Sequence, residues 1–264
     1  MNDLAIQEIL RSKEEKHILT GRITGIEDEY YKIKNDYISC AVVWYENIKV
    51  LIPATHLREK MSSKSMIRGM LGAEIDYIII EYDKISNIAI GSRKDAMEIR
   101  VEEQLSKLKV NDTARVRILA VGIRRILVEL YGKEIIMNPK NLQHTYIVNC
   151  KDYYTAGQYL KVRITRFDIP TNQFELDCKD FIENPYLDIR KYLTEGGEYT
   201  GKVIAFPKNK SGIIVQLDKT RITCLVRVPS RFNSNPHYFD NVLIKVREIN
   251  EKKKLIYGHL MRII

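Results

Sequence analysis

Apolar and polar residues alternate with period two in three matching stretches of this 264-residue chain. The first is GAEIDYIIIEYDKISNIAIGSR (72–93), in which Ile75, Tyr77 and Ile79 fall in phase, residues 83–87 interrupt, and Ile88 and Ile90 resume. Alternation around a cluster of Asp, Ser and Asn predicts a half-buried β-hairpin. The pattern returns in GQYLKVRITRFD (157–168), with Leu160, Val162 and Ile164 in phase, a turn at 169–172, and Phe174 and Leu176 beyond it. It returns again in NVLIKVREIN (241–250), with Val242, Ile244 and Val246 in phase, then the turn EKKK and Leu255 and Tyr257. The offsets, 85 residues from Ile75 to Leu160 and 82 from Leu160 to Val242, mark a tandem array rather than one large domain.

The segments ahead of each hairpin complete the units. Strands are expected at 17–26, at 37–46 and at 48–52, where Pro53 ends the run; an irregular segment, 54–68, leads to the hairpin. Five strands broken between the third and the fourth are the signature of an OB barrel. In the second unit the strands are 114–121, 124–130 and 134–137, with Tyr131-Gly132 as a tight turn and Asn138-Pro139 as a stop. A long connection, 141–156, precedes its hairpin. The third unit opens with TGKVI (200–204), an echo of TGRIT (20–24), and carries Ile222, Cys224, Val226 and Val228 on one face of a later strand. Helical spacing places a short amphipathic helix at 3–15, to pack on the first unit or on a partner. Ser92 with Asp95 three residues on begins a connecting helix running to about residue 107. Residues 180–197, with Asn184-Pro185 and Gly196-Gly197, form a second linker. The expected fold is therefore all-β: three tandem five-stranded OB-like barrels with short connecting helices, occupying residues 1–105, 106–190 and 191–264.

Within residues 16–94 the succession T-G-R-I (20–23), V-L-I-P-A-T-H-L (50–57), G-A-E-I-D (72–76) and D-K-I-S-N-I-A-I-G-S-R (83–93) resembles the S-one type RNA-binding OB domain of ribosomal proteins. The A-V-V-x-Y run before V-L-I-P, and S-R-K-D-A-M after the hairpin, resemble a version carried by prophages of Gram-positive bacteria. The resemblance implies binding of RNA, with His56 at the family's histidine-like position and Arg93 closing the family's terminal motif. One departure matters. The family's F-G-A-F, whose aromatics stack on bases, is replaced by GIEDEYYKIKND, where Tyr30 and Tyr31 are the only aromatics and acids flank them.

Charge sharpens this picture. The net charge is +9, but residues 1–105 hold 15 basic against 18 acidic side chains, residues 106–190 hold 14 against 10, and residues 191–264 hold 14 against 6. The positive field belongs to the last two units and points to an anionic partner there. In the second unit the candidate contacts are Arg125, Lys161, Arg163, Arg166 and Phe167. In the third, FPKNKSG (206–212) falls where the family keeps an aromatic–glycine turn, offering Phe206 to stack with Lys208 and Lys210 beside it; Arg221 and Arg227 face away from the apolar set. Basic and aromatic groups converging on the second and third strands match how OB folds hold single strands.

Several classes are set aside. The four cysteines share no CxxC spacing, the five histidines are scattered, and no P-loop, GxSxG or HExxH occurs, so neither a metal, a cofactor, a small-molecule substrate nor catalysis is expected. No apolar run approaches the ~20 residues of a bilayer span, and the start of the chain lacks the pattern of a signal peptide, which together point to a cytoplasmic protein. The leading expectation is a non-enzymatic protein that grips single-stranded RNA or DNA with little sequence preference. The alternative is a phage virion protein, capsid- or neck-associated, whose acidic first barrel and N-terminal helix dock on other proteins.

Overall fold

The computed structural model describes residues 3–31, 36–58, 63–168, 173–207, 212–229 and 235–264. Helix α1 (Asp3–Glu15) comes first, and strands β1 (Leu19–Tyr31), β2 (Asp36–Tyr45) and β3 (Ile48–Pro53) follow it. Two short helices, α2 (Ala54–Leu57) and α3 (Lys64–Gly69), fill the break before β4 (Glu74–Asp83) and β5 (Ile88–Ser92). These strands close into a barrel in the order β1-β2-β3-β5-β4. The β3–β5 contact is parallel and the others are antiparallel. Alternation does the work the sequence predicts: Ala41 and Val43 point inward to meet Val50, Ile52, Ile75, Tyr77 and Ile79, all buried. Helix α1 packs on this barrel through Ala5 and Ile9, and the Ser12 hydroxyl accepts the Ile79 N–H at 3.0 Å.

Strand β1 extends well past Ile26. Residues of the acidic stretch pair with β2 as far as Tyr31↔Asp36, because a polar two-stranded ribbon satisfies its backbone whether or not its side chains are apolar. Helix α4 (Arg93–Glu103), capped by Ser92 accepting the Asp95 N–H at 3.2 Å, buries Ala96 and Met97. It lies against β4 rather than spanning as a free spacer: Arg100 Nε donates to Asp76 at 2.9 Å.

The second sheet contains β6 (Thr113–Val121), β7 (Ile126–Leu130), β8 (Lys133–Met137), β9 (Tyr159–Asp168) and β10 (Gln173–Asp177). Its order, β10-β9-β6-β7-β8, is the cyclic order of the first barrel left open between the third and fifth strands. The Tyr131-Gly132 turn has φ of +44° and +82°, as a two-residue type I′ hairpin requires. A Cβ on Gly132 would lie 2.2 Å from the Met97 carbonyl oxygen, so only glycine lets this hairpin reach α4.

Helix α5 (Ile189–Tyr192) precedes the third sheet: β11 (Glu198–Ala205), β12 (Ile213–Leu217), β13 (Thr223–Arg227), β14 (Asn241–Asn250) and β15 (Leu255–Ile263). It is a closed barrel with the order of the first, β11-β12-β13-β15-β14. The chain forms two compact units: residues 1–138 with 149–177, and residues 139–148 with 178–264. The first barrel and the second sheet thus share one unit. The long connection, 141–156, divides its residues between the two. No helix among the described residues is long and apolar enough to cross a membrane.

Candidate nucleic-acid interface

The third barrel carries exposed aromatics where β11 ends and exposed cations on β13 and β14. Phe206 lies where β11 runs out, and its ring meets Tyr238 edge-on with centroids 4.8 Å apart; Tyr238 lies 6.3 Å from Phe239. All three are solvent-exposed, Phe206 at 38% and Tyr238 and Phe239 at 57% and 58%. The backbone fixes this group: the Phe239 N–H donates to the Val203 carbonyl at 2.9 Å and the Val203 N–H to the Asp240 carbonyl at 3.0 Å. The segment before β14 is thereby held beside the end of β11. Tyr238 and Phe239 escaped the sequence reading because they belong to no strand pattern. The available signal was the aromatic pair itself, in the polar run NPHYFD (235–240).

Arg227, exposed at the end of β13, stands beside His259 of β15 in the parallel register, and His259 pairs with Lys245 of β14. The Arg247 guanidinium lies 3.5 Å from the His259 ring. Arg227, His259, Lys245 and Arg247 therefore form a basic band on the barrel exterior, with Glu198 against Lys245 at its far edge. Arg221 takes a left-handed φ of +59° in the β12–β13 turn, where its N–H bonds Leu217 and its carbonyl accepts from Gln216. Gln216 also donates to the Tyr146 carbonyl at 2.6 Å, and the Tyr186 hydroxyl lies 3.1 Å from that of Thr223. The face of β12 and β13 nearest that turn is thus covered by the chain itself. The aromatic end is exposed. Lys208 and Lys210 lie outside the described residues.

In the second sheet Arg125 is exposed in the β6–β7 turn, where its carbonyl accepts the Gly122 N–H at 2.9 Å. Arg166 is exposed near the end of β9, and Phe167 packs edge-on against Phe174 at 5.3 Å. Lys161 is exposed on β9, and Arg163 donates to the Asn111 carbonyl at 3.0 Å. The Arg115 guanidinium lies 4.3 Å over the Tyr159 ring.

Arg93, which closes the family motif, and Arg117 of β6 are structural. Arg93 is fully buried: Nη1 donates to the Leu57 carbonyl and to Glu134, each at 2.8 Å, and Nη2 pairs with Glu129. Arg117 reaches Asp76 at 2.9 Å and Glu129 at 2.6 Å. With Arg58 on Glu134 and Arg100 on Asp76, four arginines and three carboxylates alternate between the first barrel and the second sheet. Burial opposes ionisation of Asp76, yet hydrogen bonds and charge from Arg117, with Thr20 and Arg100, hold its carboxyl below the usual range. Fully buried, with Nη1 and Nη2 held by internal partners, the Arg93 guanidinium is closed to a ligand.

In the first barrel Tyr30 and Tyr31 lie in β1, and their side chains fall outside the described residues. His56, on α2, lines a cavity of about 770 Å³ on the outside of β2, β3 and β5, and its buried Nδ1 has no hydrogen-bond partner. The four cysteines are buried and form no disulfide; burial pushes the Cys40 and Cys224 thiols up to about 12.

No family model matches the sequence. Among individual proteins, the small ribosomal subunit protein bS1 of Helicobacter pylori is 26% identical over 215 residues, covering 80% of this chain and 35% of that protein. The bS1 homolog of Bacillus subtilis is 19% identical over 193 residues, 70% of this chain and 50% of the homolog. The chain thus spans a third to a half of the length of these relatives. A solved multidomain protein with nucleic acid binding domains from Streptococcus pneumoniae aligns over 93% of this chain and 73% of its own, at 12% identity and a TM-score of 0.25. Strand order shows OB-like units, and the likeness to bS1 agrees with the motif resemblance to S1-type domains.

Proposed function

We propose that the protein binds single-stranded nucleic acid, RNA above all, through the third barrel, with the second sheet adding contacts from Arg125, Lys161, Arg163, Arg166 and Phe167. The observation that carries this reading is the exposed Phe206–Tyr238–Phe239 group on the most basic unit of the chain. Bases stack on such rings without regard to sequence, each worth about 1–3 kcal/mol. Arg227, Arg247 and Lys245, with Lys208 and Lys210, supply phosphate contacts, while Arg221 lies at the covered end and contributes less. Each neutralised phosphate releases counterions, so affinity falls steeply as salt rises. The name of the bS1 relatives supports RNA over DNA as the preferred strand. The binding role is carried by surface contacts, with no reaction attached to it.

The test is titration of fluorescent U-rich RNA and dT oligonucleotides at several salt concentrations. The expected result is a linear fall of log affinity with log salt and a loss in the double variant Phe206→Ala/Tyr238→Ala. Affinity that ignores both salt and the aromatic substitutions would rule the reading out.

A further inference from the structure

The outside of the first barrel differs in kind from that of the third. Cys40 and Val42 of β2, Leu51 of β3, and Ile88 and Ile90 of β5 pack into an apolar cluster of their own, outside the barrel. Register explains it: Val42 faces Leu51, Leu51 faces Ile90 and Cys40 faces Pro53, so alternate residues of three neighbouring strands share one outer surface. Trp44 and Ile80 continue the apolar surface at 51% and 39% exposure. Cys40, Val42 and Leu51 are themselves buried, each 3% exposed, so the face meets solvent through the half-buried Ile88 and Ile90 and the cleft they line. An apolar cleft bounded by polar groups marks a binding site.

The cavity on this face, about 770 Å³, has Leu51, Ile88 and Ile90 in its lining and Glu29, Glu81 and Asp83 among its polar groups. Its described lining contains three carboxylates, no lysine or arginine, and no Phe, Tyr or Trp. Among the neighbouring described residues, Lys49 pairs with Glu27 and Lys64 with Asp28, and Lys84 of the β4–β5 turn stands outside the lining. Phosphates would meet the carboxylates of this lining, and bases would find no ring in it to stack on. The barrel is closed, so no strand edge is open to an added strand.

From this chemistry we infer that the β2–β3–β5 face of the first barrel is a protein-docking groove for a short segment of a partner in which apolar side chains alternate with lysine or arginine. The apolar side chains fill the cleft over Leu51 and Ile90, and the cations meet Glu29, Glu81 and Asp83. His56 stands at the same cleft, its Nδ1 unpaired. The volume lies in the range of binding clefts, roughly 300–1,000 Å³. This role is independent of the nucleic-acid reading, which concerns other units of the chain.

The experiment uses the full chain, methyl-labelled at Ile and Leu, and three pools of short fluorescent peptides: basic–apolar, acidic–apolar and uncharged polar. The basic–apolar pool is expected to shift the Leu51, Ile88 and Ile90 methyl signals and to bind at least ~10-fold more tightly than the acidic–apolar pool. The Glu29→Lys/Glu81→Lys variant, altered only at exposed positions, should lose that preference while keeping its melting temperature and its affinity for U-rich RNA. Equal binding of the two charged pools would overturn the proposal, as would a preference that survives the charge reversal. A U-rich oligonucleotide shifting the same three methyl signals would overturn it in favour of nucleic acid.

Discussion

Arg93 shows how a single residue can carry the same letter and opposite meaning. At the end of D-K-I-S-N-I-A-I-G-S-R it reads as a basic group beside a strand, yet its guanidinium sits between Glu129 and Glu134 of the next sheet. A sequence pattern marks which face of a strand or helix a residue occupies; it does not say that another sheet, 36 positions on, supplies the carboxylate. The consequence is measurable. Glu129→Gln leaves both Arg93 and Arg117 short of charge in a buried site, so the unfolding free energy of the larger unit should drop by about 3–5 kcal/mol. Denaturant titration followed by the Trp44 signal checks this; a loss within experimental error would mean that the network is not buried as described. At the other end of the molecule, Phe206→Ala removes one face of the aromatic group. It should weaken oligonucleotide binding by about 1–3 kcal/mol without altering stability, since the ring is partly in solvent.

At the scale of elements, most of the fold is legible in the chain because its signals are local. The three hairpins, the Pro53 stop, the Ser92 cap and the Tyr131-Gly132 turn each depend on a few adjacent residues, and each stands where the pattern places it. What the sequence hides is contact between distant elements. Helix α4 reads as a linker since its own pattern is weakly amphipathic, and its packing on β4 and the β7–β8 hairpin is settled by Asp76 and Gly132. The candidate interface divides the same way: the family resemblance marks Phe206 and strand alternation marks Arg227, whereas Tyr238 and Phe239 come beside Phe206 only through the backbone bonds that tie residues 239 and 240 to Val203. Glycine gives the element-scale prediction. At Gly157, φ is +85° and a Cβ would sit 2.4 Å from the Gly72 carbonyl oxygen, where the β9 approach meets the loop before β4. Gly157→Ala adds a left-handed strain of about 1–3 kcal/mol to a backbone clash. Its melting temperature should fall accordingly, while Gly196→Ala, with nothing within 4 Å of its Cβ, should lose less.

Across the whole molecule, ionic and apolar stabilisation are unevenly shared. Of the seven buried polar or charged side chains among the described residues, six belong to the larger unit, and Gln216 alone belongs to the smaller. The carboxyls held below their usual range, Asp28, Asp76 and Asp83, are likewise all in the larger unit; of these Asp76 is the buried one. A carboxyl whose folded-state pKa is depressed stabilises the fold above its unfolded value, and that contribution fades as pH falls through the folded value. Unfolded aspartate titrates near 4, so acidification below about pH 4 should loosen the larger unit first. The smaller unit, whose core is Val203, Val215, Ile222, Val226, Ile244 and their apolar neighbours, has no such network among its described residues. Hydrogen exchange at stepped pH reads this directly: amides of β4 and β6 should lose protection while those of β12 and β14 retain it. Asp76→Asn should flatten the pH dependence of the larger unit alone, because its amide cannot titrate. Simultaneous loss of protection in both units would show that the buried ion network does not set the acid limit of the protein.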